Sequence, residues 1–191
     1  MRIIFCAVLI GGPAVRDVLA QTTVIESDAR ATLNTAVAQQ VMAAYLYKFG
    51  NYIEWPEEVF ANTSSPITIG VVDAPELADE LKRMVKGRTV GGRHILIRRL
   101  EPDDPKSGVN VLFIGGSDTD HLAAVLAEAR TQPILTVTTA ENGLDQGSII
   151  NFVVVDGKLR FEVSEQAAGE SKLNISARLL IAAHKVETGL L

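Results

Sequence analysis

Apolar and polar residues follow one another along the chain in blocks, and each block predicts an element. The first block, Ile3 to Ile10, is uninterrupted and continues through Gly11, Gly12, Pro13, Ala14 and Val15. It follows the basic Arg2 and precedes Val18-Leu19-Ala20, a small-residue cleavage pattern. Spanning a bilayer takes ~20 apolar residues. The block therefore predicts a removable export signal over residues 1–20, with an exported, soluble product. Residues 21–35 are polar and aperiodic, which predicts a flexible lead-in. The folded domain is expected over 36–191.

From Ala36 the rhythm becomes helical. Val37, Val41, Ala44, Tyr45 and Lys48 recur at three- and four-residue spacing, and Leu46 and Phe49 widen the stripe. The helix is expected to run into Tyr52-Ile53-Glu54-Trp55 and stop at Pro56, because a residue before proline is pushed out of helical geometry. Ile67–Val72 reads as a buried strand. Asp73 and Pro75 open a helix with Leu77, Leu81, Met84 and Val85 on one side. Gly87 ends it. Beyond Gly91-Gly92, Arg93–Leu100 alternates as a second strand.

Val109–Ile114 and Ile134–Thr138 read as strands around a helix marked by Leu122, Val125, Leu126 and Ala129. Ile149–Val155 pairs with Leu159–Val163 across Asp156-Gly157, a tight hairpin signal. A last helix is expected from Leu173 or Ser176 to Val186, with Leu179, Leu180, Ala183 and Val186 inward. Strand–helix alternation predicts a single α/β domain: a mostly parallel central sheet flanked by helices, with an antiparallel edge hairpin.

Composition narrows the function. Of 191 residues, 47% are hydrophobic and 21% charged, an ordinary globular balance. A net charge of −5 gives no electrostatic footprint for nucleic acid. Removing Arg2, Arg16 and Asp17 with the leader takes it to −6. The one cysteine, Cys6, lies in the leader, so a disulfide scaffold and a cysteine-rich metal site are excluded.

Candidate chemistry is sparse. His94, His121 and His184 form no short-range metal pattern. There is no Gly-x-Ser-x-Gly elbow. No catalytic residue, metal ligand or cofactor is expected. Gly115-Gly116-Ser117-Asp118 ends a strand and opens a helix, a place where free N–H groups can hold an anion or form a plain turn and cap. Together with Asp73 it outlines an alternative ligand cleft, Asp73, Gly115 and Gly116, at the carboxyl ends of the strands.

Two features suit a partner surface. Arg88, Arg93, Arg98 and Arg99 form a basic cluster in an acidic chain, either a solvated strand edge or a patch for an acidic surface. Tyr45, Tyr47, Phe49, Tyr52, Trp55 and Phe60 hold more than half of the aromatics within sixteen residues. One helical stripe cannot bury them all, so they either crowd the core or line a recognition groove.

The ordered set of segments resembles the YfiR family of periplasmic regulators. The segments are Tyr45-Leu46-Tyr47-Lys48-Phe49 with Glu54-Trp55-Pro56, Ile67–Val72, Gly87–Ile95, Val111–Ile114, Ile134–Val137, Ile149–Val153, Arg160–Val163 and Lys172–Leu180. The resemblance covers roughly residues 39–187. It implies a non-catalytic periplasmic protein that restrains an inner-membrane signalling protein, in the best-known case a diguanylate cyclase, by binding its periplasmic sensor domain. An outer-membrane-associated protein can sequester the repressor. Other relatives serve histidine kinases, and a homodimer is a further option. Disulfide-based redox control, known in the family, has no counterpart in a mature chain without cysteine. The partner-binding residues nominated here are Tyr47, Phe49, Trp55, Arg93, Arg98 and Arg99. The alternative reading is a periplasmic small-molecule-binding module feeding a membrane receptor or sensor kinase.

Overall fold

A computed structural model describes residues 35–101, 103–104, 108–116 and 119–189. The expected export signal, nearly all of the lead-in, and Ser117 and Asp118 lie outside the described residues. The chain divides into two units, Met1–Val37 and Ala38–Leu191.

Helix α1 spans residues 35–49. Then follow β1 (Ile53–Glu54), β2 (Ile67–Val72), α2 (Pro75–Met84), β3 (Thr89–Val90), β4 (Arg93–Leu100), β5 (Val111–Ile114) and α3 (Thr119–Ala129). The second half holds β6 (Leu135–Thr138), β7 (Ile150–Val155), β8 (Lys158–Ser164), α4 (Glu165–Glu170), β9 (Asn174–Ile175), α5 (Ala177–Ala182) and β10 (Lys185–Glu187). The main sheet has eight strands in the order β10-β8-β7-β6-β5-β2-β4-β3. Its centre is parallel, while β7–β8 and β3–β4 are antiparallel. A small second sheet pairs β1 with β9. This is the α/β domain with an antiparallel hairpin that the alternation of elements predicts.

Strands β2, β5 and β6 are buried along their whole length. They read as unbroken apolar runs because helices cover both faces. Alternation sends Ile69, Val71, Val111 and Phe113 to one face, under Leu46 and Phe49 of α1 and Leu77 and Leu81 of α2. It sends Val72, Leu112 and Ile114 to the other, under Leu122, Val125 and Leu126 of α3. The β7–β8 turn follows its sequence signal: Asp156 and Gly157 both take positive φ, 51° and 68°, as a two-residue hairpin of the strands' twist requires.

Four local expectations are corrected. Helix α1 stops at Phe49, not Pro56, because Gly50 packs against Val90 of β3 and Ile53–Glu54 pairs with β9. Its packed stripe is Met42, Ala43, Leu46 and Phe49, one position round from the expected one, leaving Val37 and Val41 exposed. Asp73 does not cap α2: it sits at φ 52°, the N-cap is Ala74, and Pro75 supplies the first turn. The long last helix is three elements. The strand β9 and the short α5 precede Lys185–Glu187, which leaves helical geometry to run parallel to β8.

Three further elements lay outside the sequence expectation, one of them the 3-10 turn Glu57–Val59. The β3–β4 hairpin turns through Gly91-Gly92. Helix α4 is opened by Ser164, whose hydroxyl accepts from the Ala167 N–H at 3.2 Å.

Candidate functional site

The basic cluster lies on and beside the β3–β4 hairpin, and most of its charge is engaged within the chain. Arg93 Nη1 donates to the main-chain carbonyls of Asn62, Thr63 and Ser65 at 2.8, 3.1 and 2.9 Å. Its guanidinium also stands over the Phe60 ring, 3.9 Å from the centroid. Arg93 therefore organises the loop between β1 and β2. Arg88 stands over the Tyr47 ring at 5.5 Å.

Arg98 and Arg99 point to opposite faces, as strand geometry demands. Arg99 follows Ile97 onto the α2 face, where it pairs with Asp79 and reaches the Pro75 carbonyl at 3.4 Å. Arg98, half-buried, lies on the opposite face, opposite Gly70 in the register.

The aromatics divide between core and margin. Phe49 is 1% exposed. It packs on Phe152 and Phe161 at 5.9 and 5.3 Å, with Tyr45 closing the cluster. A side chain so enclosed has no surface to offer a partner, so Phe49 belongs to the core. Tyr47 and Trp55 are half-buried. Tyr47 stands against the hairpin, its hydroxyl 3.5 Å from the Thr89 carbonyl. Trp55 meets Phe60 edge-on at 6.3 Å, and its buried indole N–H has no hydrogen-bond partner among the described residues.

The residues of the alternative cleft do come together at the carboxyl ends of β2 and β5. The Gly115 N–H donates to Val72 O at 2.9 Å. A Cβ at Gly115 would lie 2.7 Å from the Asp73 carbonyl oxygen, and one at Gly116 would lie 3.5 Å from the Asp73 Cβ. Gly115 is thus a packing glycine, and the contact closes the space between these backbones. Among the described residues, no group of three or more His, Cys, Asp or Glu could hold a metal ion.

A third surface was not singled out from the sequence. Val154 of β7 and Ile181 of α5 are 73% and 85% exposed, the highest values among the exposed large apolar side chains. Between their segments lies a groove of about 330 Å³ lined by Val155, Asp156, Lys158, Arg160, Ala182, Ala183 and His184. The available signal was the run Leu179-Leu180-Ile181, too wide for a helix buried along one stripe. Only Leu179 is buried there.

These residues belong to an α/β domain with scattered exposed apolar and cationic side chains and no metal-binding cluster among the described residues. The chain belongs to the YfiR/HmsC-like family, whose pattern it matches over residues 39–184, nearly the whole of the unit Ala38–Leu191. No curated protein matches the chain. Membership makes it one of a family of periplasmic regulators of cyclic di-GMP signalling that act through protein interaction rather than catalysis. Among the described residues no helix is long and apolar enough to cross a membrane.

Proposed function

We propose that this protein, exported to the periplasm, binds the periplasmic sensor domain of an inner-membrane diguanylate cyclase and holds the cyclase inactive. The observation that carries this reading is the family match across residues 39–184. Binding shifts the receptor toward its inactive arrangement by no more than the difference in affinity for the two states. An outer-membrane-associated protein that captures the regulator would release the cyclase. Among the nominated contacts, Tyr47, Trp55 and Arg98 remain in the proposal; Arg99 is left out because it is turned to α2, where it pairs with Asp79. Phe49 is left out as a core residue, and Arg93 acts through the loop it holds.

The test is genetic. Deleting the gene should raise cellular cyclic di-GMP and promote surface attachment, and deleting the cognate cyclase as well should abolish both effects. Unchanged cyclic di-GMP in the single deletion, under conditions where the protein is made, overturns the cyclase reading.

A further inference from the structure

The end of the domain formed by the β7–β8 hairpin tip and the C-terminus of α5 has the composition of a docking surface. Exposed large apolar side chains cost solvation free energy and, when grouped with polar neighbours, mark interaction sites. Ile181 immediately precedes Ala182 and Ala183 of the groove lining, whereas Val154 alternates to the sheet face opposite the lining residues Val155 and Lys158. The segments are held in place. The His184 N–H donates to the Phe161 carbonyl at 2.8 Å, and Leu179 anchors α5 in the core. Ile181 is therefore presented from a fixed helix rather than a loose tail.

The cations at the groove are not neutralised by neighbouring carboxylates, as several others on the protein are. Arg83, Arg99, Arg130 and Lys185 are each tied to an acidic side chain. Lys158 and Arg160 line the groove, and Arg178 lies on α5; all three are exposed, and no ion pair holds any of them among the described residues. Asp156 is the one acidic residue among the groove's lining. In a chain of net charge −5, a surface with an exposed isoleucine beside unpaired cations favours an acidic counterpart.

We propose that this surface receives an acidic segment of the receptor's periplasmic domain, with Ile181 as the apolar anchor and Lys158, Arg160 and Arg178 as the charge match. The proposal rests on the regulatory reading above. Apolar anchors at the centre of such a contact set its lifetime, and the rim charges set encounter rate and salt dependence.

The experiment uses the purified mature protein and, as probe, the purified periplasmic domain of the cognate cyclase, the one whose deletion abolishes the rise in cyclic di-GMP. Calorimetric titration at 50 mM and 300 mM salt reads the affinity. Ile181→Asp and the double variant Lys158→Glu/Arg160→Glu should each bind at least tenfold more weakly. High salt should weaken the wild type more than the double variant. All altered residues are exposed, so melting temperatures should stay at the wild-type value. Binding of wild type and both variants with equal affinity overturns this surface and leaves the regulatory reading standing. Absence of wild-type binding, with unchanged cyclic di-GMP in the deletion strain, overturns the regulatory reading and this surface with it. Weakening by Ile181→Asp with unaltered binding by the charge variant overturns the acidic-partner assignment.

Discussion

The Arg93 guanidinium lies 3.9 Å from the centroid of the Phe60 ring, so one cation holds an aromatic side chain from the far side of a loop. The same group gathers three carbonyls from Asn62, Thr63 and Ser65. A planar fork can do both; a lysine ammonium, as a compact point charge, cannot hold the same geometry. Arg93→Ala should cost about 1–2 kcal/mol in denaturant unfolding, since hydrogen bonds to a charged group contribute ~1.5–3 kcal/mol and this site is only half-buried. Hydrogen exchange at Ser64 and Ser65 should quicken. Arg93→Lys should recover less than half the loss. Unchanged exchange in the alanine variant would show that the loop is held by other contacts.

Phe49 and Tyr47 sit two residues apart on α1 and should separate cleanly. Phe49 is enclosed by Tyr45, Phe152 and Phe161. Phe49→Ala should cost ~3–5 kcal/mol, the range for emptying an aromatic site in a packed core. Tyr47→Ala should cost much less, because its ring is only half-buried at the hairpin. Equal losses in chemical denaturation would contradict this division.

Much of the fold was legible because the signals were local. Ile67–Val72 is an apolar run between turn residues, and Asp156-Gly157 is a turn chemistry with few alternatives. What escaped depends on pairing between distant segments. Nothing near Ala183 marks a helix end, yet Ala183 is extended at ψ 148° and Lys185–Glu187 joins β8. The position round the helix at which α1 packs was lost for a similar reason. Val37 and Val41 fit the spacing as well as Met42 does, and only the facing sheet decides between them. The candidate arginines were found by type, but which carbonyl, ring or carboxylate each one meets is set by the tertiary fold.

Thr138 and Asn151 form a buried polar pair, 0% and 2% exposed, joined at 2.8 Å. The Asn151 side-chain amide also donates to the Ala140 carbonyl at 3.1 Å, which ties down the turn between β6 and β7. Gly143 lies directly on this pair: a Cβ there would overlap Thr138 Oγ1 and stand 2.7 Å from Asn151 Oδ1. Gly143→Ala should therefore cost at least ~1–3 kcal/mol through overpacking. Asn151→Ala should cost ~1–3 kcal/mol by leaving the buried Thr138 hydroxyl without this partner. The double variant Gly143→Ala/Asn151→Ala should fall short of additivity, since removing the amide makes room for the methyl group. Strict additivity in denaturant unfolding would show that the glycine and the amide do not meet.

Acid should expose one surface pair. The Arg130 guanidinium, bonded at 2.6 Å, holds the Glu170 carboxyl below its ordinary value of 4.5, with help from Gln166. A carboxylate whose pKa is depressed on folding adds stability that is full above the unfolded value. It is lost as pH falls through the folded one. Both side chains meet water, so the effect is small and screened by salt. Glu170→Gln should lower the melting temperature slightly at pH 7. The gap from wild type should narrow as pH drops below about 4.5 and close in stronger acid. A gap that persists unchanged in acid would mean that Glu170 acts through packing instead of charge.

Arg98 and Arg99 carry the same charge on opposite faces of β4, which lets single replacements read the orientation of any partner. Arg99 is directed at α2, where Asp79 pairs with it in full view of solvent. Arg99→Glu would set two carboxylates against each other there, and exposed like charges of this kind shift stability by no more than ~0.5–1 kcal/mol. Its partner contact is blocked in part by α2 itself, so repression of the cyclase should stay near the wild-type level. Arg98 lies on the face away from α2. If the basic strand meets an acidic surface, Arg98→Glu places like charge across that contact at a cost of several kcal/mol, and cyclic di-GMP should rise toward the level of the gene deletion. Folding of each variant is checked by its melting curve before the cellular assay. Full repression by a stably folded Arg98→Glu protein would remove the basic strand from the interface, and equal derepression by both variants would mean that the partner approaches the strand edge-on and touches both faces.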